Sequence, residues 1–212
     1  MVQRSRIHSR GLLVRAMDRL RGQDQLLIRA GDELPLVVAS YPRGRDIFAA
    51  SLQSALSGTF PALSVQVRGA YRDVLERVPS LMVAVLRSRN ACGCLGHHHL
   101  PGTEGRLSRR LMADTGQRGA EIDLAIDAIR DWEPLPLSDF AVAAPIEILK
   151  DESAELEYHR FHTALLSVFL HELDHLTFPK RGEKEIRTRS NEFYVGAMRE
   201  FVSQHFGIAY GI

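Results

Sequence analysis

The apolar positions of the chain change their period several times, and each change predicts an element. "LPLVVAS" at 34–40 is a short β-branched run closed by the turn cluster "YPRGRD", which predicts a strand. In "RDIFAASLQSALSG" (45–58) Ile47, Leu52 and Leu56 recur at helical spacing, with Gly58 as a stop. Leu63, Val65 and Val67 alternate in "ALSVQVRG", predicting a second strand. "AYRDVLERVPSLMVAVLRSRN" (70–90) reads as helical, with Pro79 either kinking it or opening a second helix at its first turn. Residues 90–119 have no period and are Gly-rich, which predicts a long surface loop. "AEIDLAID" (120–127) alternates as a half-buried strand does, although a short helix through Arg130 competes. After the proline-punctuated "DWEPLPLSD", "APIEILKD" (144–151) predicts a short strand. A helix from about Glu152 to Leu176, ended by Pro179, precedes a last helix from about Ser190 to His205, capped by Ser190 or Asn191. The expected class is α+β: a small mixed sheet packed against two long C-terminal helices.

Composition changes this picture little. The chain has 212 residues, 45% hydrophobic and 25% charged, enough for one domain with a sizeable core. Its net charge of +1 gives no electrostatic reason to expect a nucleic-acid partner. Apolar runs such as "LMVAVL" fall far short of the roughly 20 residues that cross a bilayer, so no membrane span is expected. The first residues are Arg-rich, with no acid before Asp18. We divide the chain into a basic N-terminal segment, 1–30, and a single domain, 31–212. The segment is read as a frayed basic N-terminus or first helix in preference to a targeting signal. Cys92 and Cys94, one residue apart, are not the framework of a disulfide-stapled scaffold.

Candidate chemistry concentrates in "FLHELDHLTFPKRG" (169–182). On a helix, His171 and His175 lie one turn apart on one face, so both imidazoles can reach one ion. Glu172, about 100° round, can face a water held in the open metal position and take its proton as it attacks a carbonyl. Flanking Leu165, Leu166, Phe169, Leu173 and Leu176 make this a core helix, where two histidines and two acids need partners.

Catalytic zinc takes three protein ligands and one open position. The downstream candidates are Glu183, Glu185, Glu192, Glu200 and His205; Glu183 and Glu185 follow His175 too closely, because the chain after Pro179 must first turn. Glu192, seventeen positions after His175, opens the predicted last helix and shares a face with the small residues Gly196 and Ala197, suiting close helix contact. The expected site is therefore His171, His175 and Glu192 around Zn2+, with Glu172 as the catalytic base.

"HELDH" followed by "NEFYVGAMREF" resembles the gluzincin pattern, in which a glutamate on the next helix completes a His-Glu-x-x-His site. Among gluzincins it is most similar to the anthrax lethal factor-type metallopeptidase domains of bacterial toxins and effectors, across about residues 146–202. "LERVPSLMVAVLRSR" also resembles the helix that precedes the first strand of such domains. The resemblance implies a zinc-dependent endopeptidase with a zincin active-site helix, a protein or peptide substrate, and secretion or delivery into a target cell. Two departures stand out: the interval from His175 to Glu192 is shorter than in lethal factor, and no tyrosine stands just before Glu192. Tyr194, Arg187 and Arg189 are the alternatives for steadying an oxyanion.

"HELDHL" also resembles peptide deformylase, with Cys94 of "CGCLG" as the counterpart of its cysteine ligand. Against this, Cys94 precedes His171 by 77 positions, and the glycine-rich segment of that family is absent. A third alternative is a non-catalytic binding module with a remnant or structural metal site. His97, His98 and His99 with Cys92 and Cys94 are read as a solvated loop rather than a second metal site. His159 is placed at the surface.

Overall fold

The computed structural model describes residues 24–30, 34–40, 51, 61–78, 81–86, 93–101, 105, 108–109, 112–113, 116, 118–132 and 153–206. The predicted strand at 144–151, the N-terminal segment up to residue 23 and, apart from Ser51, the helix at 45–58 lie outside these residues.

Among the described residues five strands form one mixed sheet: β1 (Asp24–Ala30), β2 (Leu34–Ser40), β3 (Leu81–Leu86), β4 (Gly96–His99) and β5 (Ala120–Ala125). Their spatial order is β1-β2-β3-β5-β4. β1 and β2 form an antiparallel hairpin, β2–β3 and β3–β5 are parallel, and β4 runs antiparallel to β5 at the outer edge. β1 occupies the end of the stretch assigned to the basic segment. Four helices have both ends among the described residues: α1 (Pro61–Arg77), α2 (Ile126–Arg130), α3 (Ser153–Thr177) and α4 (Glu183–Phe206). The α+β class holds, with the sheet packed against the two long C-terminal helices.

Three stretches depart from expectation. Residues 62–69 belong to helix α1, not to a strand. Positions two apart are about 200° apart on a helix, so three alternating residues do not separate the two periods. The longer series does: Val67, Ala70, Tyr71, Val74 and Val78 are buried, while Val65 is 63% exposed. Residues 81–86 are strand β3 rather than helix. Leu81, Met82, Val83 and Ala84 are all buried, so both faces are covered and no alternation appears. The loop at 90–119 contains β4, whose sequence "GHHH" carries no apolar signal.

Helix α3 passes through the core. Every residue from Thr163 to Leu170 is buried, as expected of a helix covered all round. α1, α2, α4, β4 and β5 all pack on it. His159 is buried here too, stacked on Phe201 at 3.7 Å, rather than at the surface. Pro179, which cannot donate a backbone hydrogen bond, follows the end of α3. The reversal is short: the Phe178 N–H donates to the Asp174 carbonyl (2.7 Å) and the Arg181 N–H to the Phe178 carbonyl (2.9 Å). Guanidinium groups of Arg77 and Arg181 lie 5.8 and 3.7 Å from the Phe178 ring centre. Arg77 also donates to the Thr177 carbonyl at the end of α3. The Gly182 carbonyl then accepts the N–H groups of Glu185 and Ile186, and α4 starts at Glu183, not Ser190. Gly196 is exposed, with nothing within 4 Å of where a Cβ would sit, so it does not serve close helix contact.

His162 yields a stability test away from the candidate site. Its Nε2 is buried without a hydrogen-bond partner, and burial pushes its pKa from 6.5 down to about 4. An unfolded chain takes up this proton near pH 6.5, the folded one only near 4, so stability is lost as pH falls through that window. In thermal melts, the stability difference between His162→Phe and the parent should move in the variant's favour from pH 7 to pH 5. A difference that does not change with pH contradicts this.

Candidate metal centre

Two helical registers and one short turn build the site. On α3, His171 and His175 project from consecutive turns, both half-buried. On α4, Glu183, Arg187, Ser190 and Asn191 recur at i, i+4, i+7 and i+8, and these four line a cleft of about 620 Å³ with His171, Glu172 and His175. β4 contributes Gly96, His97 and His98 to the same cleft.

Three donor atoms converge at the α3–α4 junction. His175 Nε2 lies 3.1 Å from His171 Nε2 and 3.0 Å from Glu183 Oε2, and His171 Nε2 lies 3.6 Å from the same oxygen. Tetrahedral zinc with bonds of about 2.0–2.1 Å needs donors roughly 3.3 Å apart, so this triangle fits one face of such a site. The surrounding groups favour the ligating forms. Ser190 Oγ donates to the Arg187 carbonyl (3.0 Å), leaving its lone pairs for the Nδ1–H of His171 at 3.4 Å. That arrangement leaves the His171 Nε2 lone pair directed at the cluster. Burial holds His171 below its usual pKa, so it stays neutral. Burial pushes Glu183 upward, but the hydrogen bond from Arg187 and the two nearby histidines outweigh it and keep the carboxyl below its usual range.

The expected third ligand is not in this cluster. Glu192 is exposed on α4 and does not line the cleft. It follows Glu183 by nine residues, which places it about 180° round the same helix. Both carboxylates therefore cannot face one ion. The expectation depended on starting the helix at Ser190. Because α4 starts at Glu183, the residue set aside as too close is the one brought back.

Glu172, expected as the base, is 5% exposed and sits beside the cluster. Its Oε2 lies 2.9 Å from His98 Nδ1. The His98 ring stacks on His175 at 4.6 Å and 13°. His98 was therefore missed as a site residue. Alternation was the available signal: on a strand, the middle histidine of three points away from its neighbours. His98 pairs with Ile122 on the core side, whereas His97 and His99 pair with Asp123 and Glu121. Gly96 permits the approach of β4, because a Cβ there would stand 2.6 Å from Glu172 Oε1 and 2.8 Å from Val168 Cγ1.

Of the three oxyanion candidates, only Arg187 lines the cleft. Arg189 pairs with buried Asp174 (Nε–Oδ2 3.2 Å), and Tyr194 is fully buried near Trp132. Burial raises the Asp174 pKa, and Arg189 opposes that rise. Cys94 lines the cleft but is disulfide-bonded, so its sulfur is not the thiolate that a deformylase-like site requires. No helix among the described residues is long and apolar enough to cross a membrane. Compared with family models, with curated proteins and with solved structures, the chain finds no match.

The helix register separates the two glutamates by experiment. Glu183→Ala should weaken zinc binding at least tenfold, measured by competition with a chromophoric chelator, while Glu192→Ala leaves it unchanged. The reverse pattern would restore Glu192 as the ligand.

Proposed function

We propose that this chain is a zinc-dependent peptidase in which His171, His175 and Glu183 hold the metal and Glu172 is the general base. The observation that carries this reading is the convergence of two imidazole nitrogens and one carboxylate oxygen beside a buried glutamate of the same helix. Structural zinc sites are closed by four protein ligands, whereas three ligands at an open cleft leave a position for water or substrate. A protein or peptide substrate suits β4, the edge strand of the described sheet, which lines the cleft, since edge strands can pair with an extended chain. A role as a secreted toxin or effector rests on the lethal factor-type resemblance alone.

A zinc ion held by His171, His175 and Glu183 would supply Lewis acidity and make water easier to deprotonate. The remaining work belongs to the chain. Glu172 accepts a proton from the attacking water and returns it to the leaving amine, one carboxylate serving as base and then as acid. Arg187, hydrogen-bonded to Glu183 at 2.8 Å, brings positive charge to the cleft mouth, where it can steady a developing oxyanion.

Glu172→Gln keeps the shape of the side chain and removes its basicity. The variant should bind one zinc as the parent does, yet lose about 10²–10⁴-fold in turnover of a complex peptide mixture followed by mass spectrometry. A parent protein that cannot be loaded with zinc, or that binds zinc and cleaves nothing, would point instead to a non-catalytic module.

A further inference from the structure

The chemistry assigned to Glu172 needs its carboxylate in one orientation, and the helix alone does not provide it. Glutamate has three side-chain torsions, and at 5% exposure this one has little access to water. A buried carboxylate is expected to find a hydrogen-bond donor, and here the donor comes from a different layer of the fold. His98 Nδ1 lies 2.9 Å from Oε2. The face-to-face contact with His175, 4.6 Å between centres and 13° between planes, sets the plane of the His98 ring. On the other face of β4, His99 Nε2 meets Asp123 Oδ2 at 3.2 Å, fixing the strand from behind. Gly96, two residues before His98, lets the strand come this close.

We propose that His98 is a positioning residue for Glu172. Its Nδ1–H holds Oε2 and so fixes the plane in which the carboxylate receives and returns the proton. The role rests on the peptidase reading above. It makes edge strand β4 part of the reaction centre: the strand offered to substrate also orients the base.

Two measurements on the full-length chain test this. Long-range proton–nitrogen NMR of the metal-free protein should find His98 as the Nδ1–H tautomer, and Glu172→Ala should return it towards the Nε2–H form. An Nε2–H tautomer in the parent would overturn the proposal. In the zinc-loaded protein, His98→Phe keeps a stacking ring without the donor, whereas His98→Asn returns an N–H close to the Nδ1 position. His98→Phe should lower kcat about tenfold to a hundredfold, with KM and zinc affinity unchanged, and His98→Asn should recover most of the loss. Parental kcat in His98→Phe, or no recovery in His98→Asn, would overturn it. If zinc-loaded parent protein cleaves nothing while the tautomer is as expected, the peptidase reading fails. His98 is then a structural clamp on Glu172 and not a catalytic positioning residue.

Discussion

A helix buried on every side that nevertheless carries His171, Glu172, Asp174 and His175 is the constraint from which the rest of the structure follows. Upstream, from Thr163 to Leu170, α3 is buried among largely apolar neighbours, and its Ser167 hydroxyl donates to the Ser190 carbonyl at 2.7 Å. Its last two turns cannot be treated that way, because unpaired charge in a core is disfavoured by several kcal/mol. Each polar group therefore draws in a partner from an adjoining element. Glu183 comes to the two imidazoles, Ser190 to His171, Arg189 to Asp174 and His98 to Glu172. The turn at Phe178–Gly182, the register of α4 and the close approach of β4 are three answers to one requirement.

The same requirement explains what was legible in the chain. His171 and His175 could be placed on one face because helical spacing is a local property, and the flanking leucines marked the helix as buried. Strand β2 and strand β5 were legible for the same reason: their patterns lie within one short run. What escaped depended on other parts of the molecule. Leu81 to Ala84 gave no period because both faces of β3 are covered. His98 gave no apolar signal, since its environment is created by α3, some seventy residues later. Pro179 suggests a longer return than the chain makes, which favours Glu192 over Glu183 when only the sequence is read. Aromatic and guanidinium groups of Phe178, Arg77 and Arg181 pack the turn into a few residues instead. The starting residue of α4 then decides which carboxylate faces inward.

Electrostatics and geometry agree at the cluster. Burial keeps His171 neutral, and the hydrogen bond from Arg187 helps to keep Glu183 ionised, the forms in which each donates electrons to a cation. Arg187 contributes to both sides of this balance. It bonds the outer oxygen of Glu183 while the inner one faces the imidazoles, so the carboxylate is oriented although its side chain is half exposed.

The turn of Phe178–Gly182 has a further consequence, for the cost of bringing the site together. His171, His175 and Glu183 span only thirteen residues of chain, so the loop between the two helices closes at small entropic cost. Contacts this local cost little loop-closure entropy, whereas the pairing of β4 with β5 and its docking on α3 join segments farther apart in the chain. The helical hairpin thus gathers all three donor atoms without help from the sheet, and any cation they captured would stabilise it. Orientation of Glu172 depends on β4. In the proposed reading, the part of the chain that would hold a cation is local, and the part that orients the base comes from a distant strand.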